Sequence, residues 1–265
     1  MTHILRSTLW LLFFGSILLA WIWLYQMTAM MGIDLIGRSD PITMGASVMQ
    51  SDQMGQGMEM SMTGFGPLFA MWTIMMAAMM LPTMIPTLRA YEDLIRSADG
   101  TRIGWVGVVF GYLIAWVLFA ALITGVQIGL HHTGVVDMLG VAKNTVVSAA
   151  LLVVVGLFQF SRTKEICHGV CHSPMTYFLG HWKTSGVGGL RMGLGLGAFC
   201  VGCCWGFMAL GFVGGVMNLL WMGLATLFMV IEKLPDIGHR VTKPMGALLI
   251  VSGVLLGLSP LFTGG

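Results

Sequence analysis

The sequence predicts an all-α, polytopic bundle of membrane-spanning helices, about seven spans with the N-terminus inside and the C-terminus outside. Three observations carry this expectation. Of the 265 residues, 57% are hydrophobic and only 9% are charged, more apolar surface than a water-soluble domain can hide. Apolar runs of about twenty residues, enough to cross the hydrocarbon core, begin near Thr8, Gly66, Ile103, Lys143, Met192, Val216 and Thr242. With the N-terminus inside, Arg6, Arg89, Arg96, Arg102, Arg162, Lys164, Lys183, Arg191, Lys233, Arg240 and Lys243 all fall on the inner side, and only Arg38 and Lys143 fall outside. That asymmetry is the one that sets orientation.

The first apolar run, Leu9 to Met27, is longer than the core of a secretory signal and reads as a retained anchor. The chain is therefore read as one membrane domain, 1–265, in a bacterial inner membrane. It has a Met-rich external loop at 31–65 and a cytoplasmic Cys/His loop at 161–191. A net charge of +2 without a dense basic tract excludes nucleic acid as a partner. No arrangement of nucleophile and base suggests an enzyme.

Sulfur is concentrated at four places. In the external loop, MGQGMEMSM spaces Met54, Met58, Met60 and Met62 two and four residues apart in a polar, Gly-rich setting. Thioethers are soft ligands that select Cu(I), although the same residues suit contact with the membrane surface. The second run is MWTIMMAAMMLPTMIP. There Met75 and Met79 continue one i, i+4 row from Met71, and Met76 and Met80 form the row beside it. Flexible packing explains such a stripe by itself; its neighbours suggest a metal path. Pro82 removes a backbone donor and leaves a carbonyl without its helical partner.

The third place is FCVGCCWGFM. At about 100° per residue, Cys200, Cys203 and Cys204 project near 0°, 300° and 40° and share one helix face. Gly193, Gly197 and Gly211 lie on that face too, so another helix is expected to pack closely against it. Three thiols on one buried face favour a soft-metal site over a disulfide, for which helix geometry is poor. The fourth place is CHGVCHSP, after the fourth span. If helical, it pairs Cys167 with Cys171 and His168 with His172 at i+4, a set suited to Cu(I) and also to Zn(II).

MWTIMMAAMMLP, the Cys-x3-Cys of the inner loop, and the block from CVGCCW through NLLWM to EKLP together resemble a bacterial family described as predicted metal-binding integral membrane proteins. The resemblance runs over roughly Met71 to Gly238. It implies metal handling and a shared fold, and no particular reaction. The family pattern carries a His four residues before the first Cys of the CVGCCW block. Leu196 occupies that position here, so no His ligand is carried over. The Met-rich loop resembles the thioether motifs of eukaryotic copper transporters in ligand chemistry alone.

The order of ligand types, thioether outside, thioether then thiol within, and thiol plus imidazole inside, suggests Cu(I) uptake as the first function. A storage or delivery factor that loads a membrane copper enzyme is the alternative, with that enzyme or a copper chaperone as partner beside lipid and the metal ion. An oligomer is compatible with either. Glu232 is a candidate for proton-linked transfer, and the Glu232–Lys233 doublet also reads as an interfacial pair. A third reading, haem attachment at the C-x3-C-H of Cys167 to His172, conflicts with the inner location expected for that segment.

Overall fold

The computed structural model describes residues 2–30, 33–34, 64–137, 140–234 and 237–263. The described residues form eleven helices: α1 (Thr2–Met30), α2 (Phe65–Thr83), α3 (Ile85–Ser97), α4 (Arg102–His132), α5 (Thr145–Phe158), α6 (Arg162–His172), α7 (Pro174–His181), α8 (Gly186–Ala209), α9 (Gly211–Gly214), α10 (Leu219–Glu232) and α11 (Gly238–Thr263). Side-chain caps start several of them. Thr101, Asn144, Ser161, Ser185 and Asn218 each accept a backbone N–H of the first turn, of α4, α5, α6, α8 and α10 respectively.

Five helical stretches are long and apolar enough to cross a membrane: Ile4–Met30, Phe65–Thr83, Arg102–His132, Gly186–Gly214 and Arg240–Ser259. Two of the seven expected spans look different. The run beginning near Lys143 becomes α5, which bends by 63° into α6. The run beginning near Val216 becomes α10, only 14 residues long. Gly215, at φ 92°, ends the preceding segment and shortens it.

The most extensive helix pair is α4 with α8. Glycine makes it possible: a Cβ on Gly189, Gly193 or Gly111 would run into the backbone carbonyl of Gly104, Val108 or Leu190 across the interface. Backbone therefore lies against backbone, as the Gly193 and Gly197 face suggested. Residue numbers rise together across this contact, so α4 and α8 run parallel. Trp72 donating to Gln127 at 2.7 Å, and Thr83 beside Tyr112 at 3.2 Å, make α2 antiparallel to α4. By the same logic, the packing of Gly246 on Gln159 and of Gly253 on Ala149 makes α5 antiparallel to α11.

Pro82 lies inside α2 and denies Ala78 its helical donor. The Ala78 carbonyl takes the indole N–H of Trp21 on α1 at 3.1 Å instead. At the other end of the same contact Glu92 of α3 gathers three donors. Trp10 Nε1 donates at 3.0 Å, Arg102 Nη1 at 3.1 Å, and Arg6 Nη2 pairs at 3.2 Å. Burial pushes the Glu92 carboxyl up, but the Trp10 and Arg102 hydrogen bonds and the two guanidinium charges outweigh it and hold the group below its ordinary value.

Two outcomes follow from this packing. Gly193→Ala drives a methyl into the Val108 carbonyl and is expected to destabilise the bundle by about 1–3 kcal/mol. Gly125→Ala, with nothing within 4 Å of the added atom, does not lower the melting temperature in detergent and, Ala being the better helix former, raises it slightly. The depressed Glu92 carboxyl contributes stability that is complete at neutral pH and is lost as the pH falls through the ordinary carboxylate range to its folded value. Limited proteolysis of α1 should thus accelerate below about pH 4, and Glu92→Gln should abolish that pH dependence.

Candidate metal centre

The helix α8 presents Cys200, Cys203 and Cys204 on one face, and all three are buried. Cys203 Sγ lies 3.4 Å from Cys204 Sγ and donates to the Cys200 carbonyl at 3.2 Å. A fourth sulfur arrives from another element. The bend after α5 lays α6 against α8, with Cys167 over Gly202 and Cys171 Sγ 3.9 Å from Cys203 Sγ. The sulfurs of Cys171, Cys200 and Cys203 all lie within 4.8 Å of one another. Cys204 sits beside this set. One thiol of the inner station, Cys171, thus joins those of α8, whereas Cys167, one turn earlier on α6, lies against Gly202 outside the three-sulfur set.

The imidazoles of the same segment do something else. His168 Nε2 lies 2.8 Å from the Glu232 carbonyl oxygen, and the His172 ring lies beside it, tilted by 34° with centroids 5.4 Å apart. His168 therefore joins α6 to the end of α10. Gly238 faces the same carbonyl, and a side chain there would collide with it and with His172. Among the described residues, the three-thiol set is the one group of three or more Cys, His, Asp or Glu side chains whose donor atoms converge.

Three buried charges surround the thiols. Lys233 Nζ donates to Cys200 Sγ at 2.9 Å and to Thr83 Oγ1 at 3.1 Å. Tyr112 OH lies 3.0 Å from the same sulfur. Lys164, 1% exposed, pairs with Glu232, also 1% exposed; its Nζ is 2.9 Å from Oε1 and 3.0 Å from Oε2. That ammonium also donates to the Cys203 carbonyl at 2.8 Å and lies 5.6 Å from the centre of the Phe207 ring. Thr242 of α11 donates to Glu232 Oε1 at 2.9 Å. The expected Glu232–Lys233 interfacial pair is therefore replaced by two separate contacts, because successive residues at a helix end point different ways.

Sequence reasoning missed Lys164, Lys233, Tyr112 and Thr83. The signal available was two charges closing an apolar run at Glu232 and Lys233. Met75, Met76, Met79 and Met80 are all buried in α2. Met54, Met58, Met60 and Met62 lie outside the described residues.

Removing one partner of a buried ion pair strands the other, a loss of about 3–5 kcal/mol. Lys164→Met and Glu232→Gln should each lower the melting temperature sharply. The double variant should lose much less than the sum of the two, and a thermal-unfolding cycle in detergent measures the difference.

No curated protein and no solved structure gives a significant match to the chain. A family model does match: PpoB2, described as copper chaperone, over residues 69–256. That range contains α4 and α8, all five cysteines, both buried lysines and Glu232, and it spans well over half of the chain. The chain belongs to the PpoB2 family of copper chaperones.

Proposed function

We propose that this protein is a multi-pass inner-membrane factor that holds Cu(I) on Cys171, Cys200 and Cys203 and hands it to a membrane-bound copper enzyme. The observation that carries this reading is the meeting of three buried thiols from two helices beneath the Lys233 ammonium. Thiolate sulfur is a soft donor that selects Cu(I). Charge supports the same reading. Lys164 and Glu232 cancel, so Lys233 leaves one positive charge in the interior. A Cu(I) ion held by two thiolates and one neutral thiol of this set carries one net negative charge, which that ammonium balances, and uncompensated burial is thereby avoided. Seven crossings with the N-terminus inside suit the alternating helix directions, with the bent α5 and the short α10 as the two atypical spans. Thr83, Glu232 and Lys233 at the inner ends of α2 and α10 then put the thiols nearer the cytoplasmic face.

Uptake is the second reading. It is favoured by the unbroken column of buried methionines on α2, Met71 through Met84, which ends beside Thr83 and so beside Lys233. Membership of a chaperone family favours delivery.

Anaerobic Cu(I) titration against a chromogenic chelator tests the site. Cys171→Ser, Cys200→Ser and Cys203→Ser should each weaken binding at least about tenfold, or about 1.4 kcal/mol. Unchanged affinity in all three sinks the assignment. Proteoliposomes then divide the two readings: a delivery factor accumulates no copper without a partner enzyme, whereas a carrier does.

A further inference from the structure

Between α2, α8 and α10 lies a narrow cavity of about 10 Å³, lined by Met75, Met79, Met208 and Met222 together with the rings of Phe207 and Trp221. That is room for one small ion or one water. Four methionine side chains from three helices border it, and among the other lining side chains the one polar group is the indole N–H of Trp221. Water needs two to four polar partners in such a place, and the lining side chains offer only one polar group, the buried indole N–H of Trp221. Oxygen- and nitrogen-preferring ions find no ligand among these side chains, whereas thioethers with nearby π faces suit a soft monovalent cation. A cluster needed only as filler would close the gap, because methionine adapts to irregular space.

The position is informative too. Met79 is one turn before Thr83, and Met208 is one turn after Cys204. The cavity therefore lies about 6–12 Å along the bundle from the thiols, away from Glu232 and Lys233, with the Phe207 ring between it and the Lys164 ammonium, which lies 5.6 Å from that ring's centre.

We infer that Met75, Met79, Met208 and Met222 form a second, thioether-only site for Cu(I), a staging position one to two helical turns from the thiol set. This deepens the copper-handling reading and rests on it. The site excludes Met76 and Met80, the neighbouring row on α2. Thioether ligands are uncharged and need not lose a proton to bind, so this site keeps the ion's full positive charge. The thiol set, with its anionic ligands, is the tighter of the two. Copper enters or leaves the thiols through this position as Cu(I), and no electron is exchanged.

The test uses the full chain in detergent, with Ag(I) as a redox-inert stand-in. Met208→Leu with Met222→Leu nearly conserves volume and should reduce bound Ag(I) by one equivalent. Met75→Leu with Met79→Leu should remove that same equivalent, and the fourfold variant should lose no more than either pair. The equivalent should persist in Cys200→Ser/Cys203→Ser, so failure of the thiol site and failure of this one are distinguishable. Unchanged stoichiometry in the folded Met208/Met222 variant overturns the inference, as does a loss of two equivalents in the fourfold variant. If the leucine variants do not fold, selenium-edge absorption decides. Selenomethionine protein carrying Met54→Leu, Met58→Leu, Met60→Leu, Met62→Leu, Cys200→Ser and Cys203→Ser should show a selenium–silver distance on addition of one Ag(I), and its absence overturns the inference.

Discussion

The backbone-to-backbone contact of α4 with α8 is the constraint on which the rest of the molecule depends. Glycines at 107, 111, 189, 193 and 197 remove the side chains that would hold the two helices apart. With the axes that close, Tyr112 OH comes within 3.0 Å of Cys200 Sγ, and Thr83 of α2 reaches the same phenol. A wider interface would open a gap beside the thiols that lipid or water would have to fill. Close approach also leaves the opposite face of α8 for α5 and α6, and it is from there that Cys171 and Lys164 arrive.

Charge is the second determinant. Lys164, Glu232 and Lys233 are enclosed by the bundle, where an ion lacking a partner is severely unfavourable. Each has one. Lys164 and Glu232 join α6 to α10, Thr242 extends the junction to α11, and Lys233 ends at Cys200 and Thr83. The short α10 thus places consecutive residues into two different networks. The proposed copper site would give these polar groups in an apolar interior a function, since a cationic cargo on anionic sulfur needs a compensated setting.

The helical class, the shared face of Cys200, Cys203 and Cys204, and the close approach at Gly193 and Gly197 were legible in the sequence, because each depends on periodicity within one segment. The meeting of Cys171 with Cys203 was not. It depends on the 63° bend between α5 and α6, which nothing in QFSRTKE announces beyond the capping Ser161. The partners of Lys164 and Lys233 were hidden for a related reason. Both residues entered the tally of inner-side charges, yet both are buried. Removing them from that tally leaves the excess of Lys and Arg on one side intact. The 14-residue α10 shows the limit of reading spans from hydropathy, since the apolar run from Val216 includes residues that form the turn before the helix.

The thiol set is divided between two elements, and on the proposed copper-holding role that division would govern how the ion is released. Cys200 and Cys203 stand one turn apart on a long helix locked by glycine packing, so their separation is fixed. Cys171 rides on an eleven-residue helix fastened to the bundle by Lys164 and His168. Such a ligand set has two denticities available to it, three with the short helix seated and two with it lifted. An acceptor thiolate or imidazole can take the vacated position before the remaining bonds break. On the proposed delivery role, exchange would proceed associatively, at a rate set by a single small helix, while the long apolar helices stay in place.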